Sequence, residues 1–160
     1  MGAGAASARE LDAVAARISD WAERQLKADG MLVAVDHDPE ARRWYARMRG
    51  EEKAVITVWL TLRERSLHHE TQVMPAPEEN VEACYEYLLR RNASLIGTRF
   101  ALGAEDAVYL VGQTPVGEVS DTALDHIVGS AYAYTEECFP TAMSIGYASR
   151  FRRPRRGWQP

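Results

Sequence analysis

Apolar residues at Leu11, Val14, Ala15, Ile18, Trp21, Ala22 and Leu26 recur at steps of three and four, the spacing of one helical face. The pattern predicts a first helix over residues 11–26, stopped by Asp29-Gly30. Residues 31–35 read as a short strand ahead of a polar turn, Asp36-His37-Asp38-Pro39. The period then drops to two. Trp44, Ala46 and Met48 alternate with Arg43, Tyr45, Arg47 and Arg49, a strand with one wet face. After Gly50-Glu51-Glu52, residues 53–62 put Ala54, Ile56, Val58, Leu60 and Leu62 on one side and Val55, Thr57, Trp59 and Thr61 on the other. Residues 67–74 continue the meander as a third strand.

Pro75-Ala76-Pro77-Glu78-Glu79 has the grammar of a helix start, with Arg90-Arg91 at the far end and Val81, Cys84, Tyr85, Leu88 and Leu89 as the apolar stripe. Strands over 98–102 and 107–113 flank Gly103-Ala104-Glu105-Asp106, a connection suited to a hairpin. Ser120-Asp121 offers an N-cap for a final helix that kinks at Pro140 and resumes to about Ala148. Setting the short segment 31–35 aside, the order is α-β-β-β-α-β-β-α, an α+β domain with helices on one face of an antiparallel sheet. Residues 8–149 form that single domain, between a disordered lead-in at 1–7 and a flexible arginine-rich tail at 150–160.

At 160 residues, with 46% hydrophobic and 26% charged residues, the chain has enough apolar material for a core without a metal or disulfide. Cys84 and Cys138 sit in helical patterns outside any C-x-x-C or Cys/His cluster and read as buried free thiols. The start of the chain matches neither a secretory signal nor a myristoylation site, and no apolar run is long enough for a bilayer. A cytoplasmic protein is expected. Net charge is −4, unevenly spread: residues 1–149 carry fourteen cations against twenty-three acids, and the tail carries five arginines and no acid.

His68-His69-Glu70 is the most chemically suggestive cluster, since imidazoles and a carboxylate can hold zinc or move protons. On a strand, however, only His68 and Glu70 share a side, which puts one histidine on the solvent face and the other beside the helical layer. A small metal-assisted hydrolase using His68 and Glu70, with His37 as an optional third group, is therefore the weaker alternative. Asp36-His37-Asp38-Pro39-Glu40 lacks the spacing and glycine of a calcium loop, and His126 reads as an ordinary helix histidine. No nucleophile elbow, P-loop or dinucleotide fingerprint occurs, so no catalytic residue and no cofactor is expected. Tail-driven nucleic-acid binding is a third reading, with poor specificity in an acidic chain.

What remains is a surface. With helices over the Ile56/Val58/Leu60 side, Arg43, Tyr45, Arg47, Val55, Thr57 and Trp59 face outward, a set typical of protein-binding patches. A tryptophan can bury on the order of 200 Å², worth about 5 kcal/mol gross, so a cover is expected for Trp59: the N-terminal segment, a sister subunit or a separate partner.

The joined motifs Gly50-Glu51-Glu52-Lys53, Val58-Trp59-Leu60-Thr61-Leu62-Arg63, Glu70-Thr71, Met74-Pro75-Ala76-Pro77-Glu78-Glu79-Asn80, Tyr87-Leu88-Leu89-Arg90-Arg91-Asn92 and Tyr109-Leu110-Val111-Gly112 resemble the YbjN family, over about residues 43–151. Seventeen arginines against two lysines fit its actinobacterial branch. The resemblance implies a fold similar to type III secretion chaperones, small acidic proteins, often dimeric, that hold a client segment without catalysis. It also implies a sensory-transduction or stress-related regulator, and brings no catalytic residues. A non-enzymatic interaction module, homodimeric and bound to a protein partner, is the expectation.

Overall fold

The computed structural model describes residues 4–151; the expectation for a flexible tail falls mostly beyond Phe151, outside the described residues. Ser7 opens the first helix, α1 (Ala8–Lys27), with a capping box: its hydroxyl accepts from the Glu10 N–H and the Glu10 carboxylate accepts from the Ser7 N–H. Leu11, Val14, Ile18, Trp21 and Ala22 are buried, as the spacing predicts.

Four strands follow: β1 (Leu32–Asp38), β2 (Arg43–Arg49), β3 (Val55–Leu62) and β4 (Ser66–Met74). The strand expected over 31–35 thus runs on to Asp38, and the polar stretch taken as a turn is paired backbone. Asp36 lies opposite Tyr45 and His37 opposite Trp44, on whose ring it stacks at 4.5 Å. Cross-strand pairing overrides the polar composition there. The reversal comes later, where Arg42 takes a φ of 49° and its N–H donates to the Pro39 carbonyl. β3 begins two residues later than expected. The Glu51, Glu52 and Lys53 N–H groups all donate to the Glu136 carboxylate, which holds the β2–β3 turn out of the ladder.

The second helix, α2 (Val81–Asn92), starts after Glu78-Glu79 rather than on them. Asn80 turns left-handed, and both glutamate N–H groups donate to the Gly146 carbonyl, latching this loop to the end of the last helix. β5 (Arg99–Leu102) and β6 (Val108–Pro115) form the expected hairpin, with Glu105 and Asp106 at positive φ in its loop. The last helix, α3 (Asp121–Gly146), is capped by the Ser120 hydroxyl and continues through the buried Pro140.

The six strands form one antiparallel sheet in the order β1-β2-β3-β4-β6-β5. Trp44, Ala46, Met48, Ile56, Val58, Leu60, Leu62 and Leu67 point into the layer where α1 and α3 pack. Val73, Met74, Phe100, Val108 and Leu110 meet α2 and the second half of α3. Both cysteines are buried free thiols, and burial pushes both up in pKa. The buried ring nitrogens find partners: Trp21 Nε1 donates to Asp125 at 2.8 Å and Trp44 Nε1 to Ser19 at 3.1 Å. No helix among the described residues is long and apolar enough to cross a membrane.

Candidate functional site

With the helices on one side, alternation delivers a second set of side chains to the opposite face. Strand register turns that set into rows. One row crosses all six strands: Asp36, Tyr45, Trp59, Glu70, Val111 and Arg99 lie successively opposite one another. The neighbouring row is Asp38, Arg43, Thr61, His68 and Gln113. Arg47 opposite Thr57 and Arg49 opposite Val55 complete the β2–β3 part. All six residues expected at a binding surface therefore share one face.

That face is organised around Trp59, which is 40% exposed. Tyr45 meets its ring edge-on at 5.4 Å, and the Arg43 guanidinium lies 5.3 Å from the ring centre. Arg43 is itself held, because its Nε donates to Thr61 Oγ1 at 3.0 Å. Arg47 reaches Asp36 across β1 at 3.9 Å. An aromatic ring with its cation and neighbour already in place loses little rotamer entropy on binding. Val55, 46% exposed, extends the apolar strip toward the β2–β3 turn.

The N-terminal segment does not cover this patch within the described residues: the Ala6 N–H donates to the Glu64 carbonyl, at the β3–β4 turn. His68 and Glu70 share a side, as expected, and it is this face, whereas His69 is buried on the helical side. Burial first, then the cationic neighbours His68, Arg99 and His126, pushes the His69 pKa down to about 4. The hydrolase reading rests on His68 and Glu70, and the fold brings them no third ligand from His37. His37 lies on the helical side against Trp44, on the opposite face from His68 and three strands from β4, roughly 14 Å at the usual strand spacing. Among the described residues, no three His, Cys, Asp or Glu side chains form a metal-holding group. Arg150 pairs with Glu78 and lies over Tyr147, so the one described arginine of the tail is engaged within the chain.

Sequence reasoning missed the far end of the face. A hollow of about 140 Å³ is lined by Thr61, Arg63, His68, Glu70, Arg99 and Gln113, with the His69–Gly112 pair of β4 and β6 between them. Period-two alternation marks His68 and Gln113 as outward, but only the β4–β6–β5 register brings Arg99 to them. The His68 pKa is lowered, by burial first and then by Arg63, against an opposing pull from Glu70. A second unpredicted feature lies at the other end of the helical layer. Leu89 and Leu102 are 68% and 51% exposed, and with Tyr85, Leu88, Phe100 and Val108 they line an apolar groove of about 210 Å³ between α2 and β5.

A family model described as "Putative bacterial sensory transduction regulator" matches residues 19–142. The chain belongs to the YbjN family. Uncharacterised relatives from Mycobacterium bovis and Mycobacterium tuberculosis are 33% identical over 110 residues, 69% of this chain and 58% of theirs. One from Mycobacterium leprae is 29% identical over 111 residues, 69% of this chain and 60% of its own length. The chain thus spans about three fifths of these relatives. Among solved structures, the YbjN fold here is similar to the Yersinia pestis type III secretion chaperone SycH, crystallised in complex with a stable fragment of YscM2. The TM-score is 0.50 at 20% identity, covering 75% of this chain and 98% of that one. That likeness establishes a chaperone-type fold.

Proposed function

We propose that this YbjN domain is a non-enzymatic interaction module of the cytoplasm whose open sheet face binds an extended segment of a protein partner. The observation that carries the reading is the preassembled Trp59–Tyr45–Arg43 cluster on a face that no described helix covers. Aromatic and arginine anchors contribute disproportionately at protein interfaces, and Trp59 has about two fifths of its surface left to bury. The SycH structure, solved with a fragment of another protein, supports a protein partner for this type of fold.

A photo-crosslinking residue at Thr57, followed by mass spectrometry, tests the assignment. One recurring partner segment, lost on Trp59→Ala while the unfolding midpoint holds, supports it. Equal labelling from a control position on the helical side overturns the surface.

The module pairs with a second copy of itself through α2. Val81, Tyr85 and Leu89 repeat every four residues along its outer side, and Glu82 and Glu86 precede Arg90. A two-fold antiparallel pairing sets each Arg90 against the other copy's glutamates while burying the leucines. Such a dimer leaves the Trp59 face free for the partner.

A further inference from the structure

We infer that the hollow between Arg63, His68 and Arg99 is a subsite for a phosphoryl-type oxyanion carried by the bound segment. The source of the anion rests on the reading of the sheet face given above, but the subsite itself does not. Most of the described arginines are already neutralised or tied down, Arg17 and Arg43 by the Val119 carbonyl and the Thr61 hydroxyl. Arg24, Arg42, Arg47, Arg90, Arg91 and Arg150 each reach a carboxylate. Arg63 and Arg99 are among the described arginines with no carboxylate partner, and these two border the same small hollow.

The donors come from separate elements. Arg63 stands in the β3–β4 turn, His68 on β4 and Arg99 on β5, and Thr61 and Gln113 add a hydroxyl and an amide. A planar carboxylate is satisfied by one guanidinium fork, whereas two guanidinium groups and an imidazole from separate elements match the oxygens of a tetrahedral anion. A volume of about 140 Å³ holds one such group with a few waters. Glu70 is the lone acid among the lining residues, so the hollow stays net cationic. The hollow also lies at the opposite end of the face from Asp36 and Asp38, giving the face an acidic edge at β1 and a basic one at β5. An extended chain anchored on Trp59 would reach the hollow through the adjacent Glu70–Val111 positions.

NMR of the full chain, titrated with potassium phosphate against potassium chloride at matched ionic strength, tests the subsite. Saturable shifts at His68, Arg99 and Gln113 with phosphate alone are expected, together with a rise in the His68 titration midpoint. Arg63 and Glu70 act on His68 directly, and Arg99 shares the hollow with it. His69 lies on the other side of β4 with His126 of α3, so both salts present the same charged surroundings to the ring before any anion binds. Arg63→Gln and Arg99→Gln should each weaken phosphate by about tenfold, and Glu70→Gln should tighten it. Equal shifts from both salts, or unchanged affinity in both arginine variants, overturn the subsite.

The source is tested with an extended peptide carrying one phosphoserine. If it binds more tightly than free phosphate, and Trp59→Ala removes only that gain, the anion belongs to a segment on the sheet face. If it binds no more tightly, the segment source is overturned and the subsite takes a free anion. Loss of partner capture in Trp59→Ala with phosphate affinity intact separates the two readings.

Discussion

Protonation of His69 should govern the acid side of this protein's stability. The ring lies on the helical side of β4, 8% exposed, against the backbone of Gly112, where an added Cβ would stand 2.5 Å from the imidazole. Burial and three cationic neighbours keep it neutral in the folded chain down to about pH 4, whereas the unfolded chain protonates it near 6.5. Stability is therefore fully present above pH 6.5, is lost as pH falls through 6.5 toward 4, and levels off below. Linkage across that interval gives a loss of about 2.5 kcal/mol between pH 7.5 and 4.5 from this residue. Urea unfolding of wild type and His69→Gln at pH 7.5, 6 and 4.5 isolates the contribution as a double difference. Groups not coupled to His69 titrate in both proteins and cancel, while its repulsion with His68, Arg99 and His126 is removed along with the ring and belongs to the contribution measured. A ring titration by NMR reads the same group directly if the variant is too unstable. A midpoint near 6.5, or an equal acid-side loss in His69→Gln, would refute the reasoning.

Glu136→Ala strips the β2–β3 turn of its acceptor for three N–H groups and should cost about 1.5 kcal/mol by denaturant unfolding, with Glu136→Gln losing about half as much; equal, negligible losses in both would show that the clamp is ornamental. Gly112→Ala should cost about 2 kcal/mol, because the new methyl meets the His69 ring and the Gly97 carbonyl and one of them must move; a midpoint within a degree of wild type would show that the site yields freely. Leu89→Glu should convert a concentration-dependent dimer into a monomer by sedimentation velocity without lowering stability, since Leu89 is mostly exposed in the single chain. A wild type that stays monomeric at about 100 μM, far above the range of specific dimers, would remove the α2 interface.

The strands with strict alternation, β2 and β3, were legible to within two residues because one face is buried and a slip of one would expose Ile56, Val58 and Leu60. The same alternation placed Arg43, Tyr45, Arg47, Val55, Thr57 and Trp59 together. β1 was half legible, since its polar half is held by stacking of His37 on Trp44, which no local pattern contains. The start of α2 departs from the pattern for a similar reason: the Glu78 and Glu79 N–H groups donate to the Gly146 carbonyl and the Glu79 carboxylate accepts from the Ser149 N–H, rather than serving a helix dipole. The Arg63–His68–Arg99 hollow was not legible. It depends on β6 inserting between β4 and β5, a pairing that sequence order does not reveal.

Position 59 argues for function more than any other residue of the sheet. On β3 the outward neighbours Thr57 and Thr61 already supply β-branched side chains suited to a half-wet strand. A tryptophan between them adds little to the fold, because the core beneath is complete with Ile56, Val58 and Leu60 fully buried. Its remaining exposed surface, roughly 100 Å² at about 25 cal/mol per Å², represents about 2.5 kcal/mol of unused burial. An antiparallel sheet can leave one face wet, and such a face without function would be expected to carry charged and small polar residues there. Here it carries an indole braced by a tyrosine and an arginine that is itself fixed by Thr61. That bracing limits the ring's freedom before any partner arrives, which is the arrangement expected of an anchor and not of a leftover core residue.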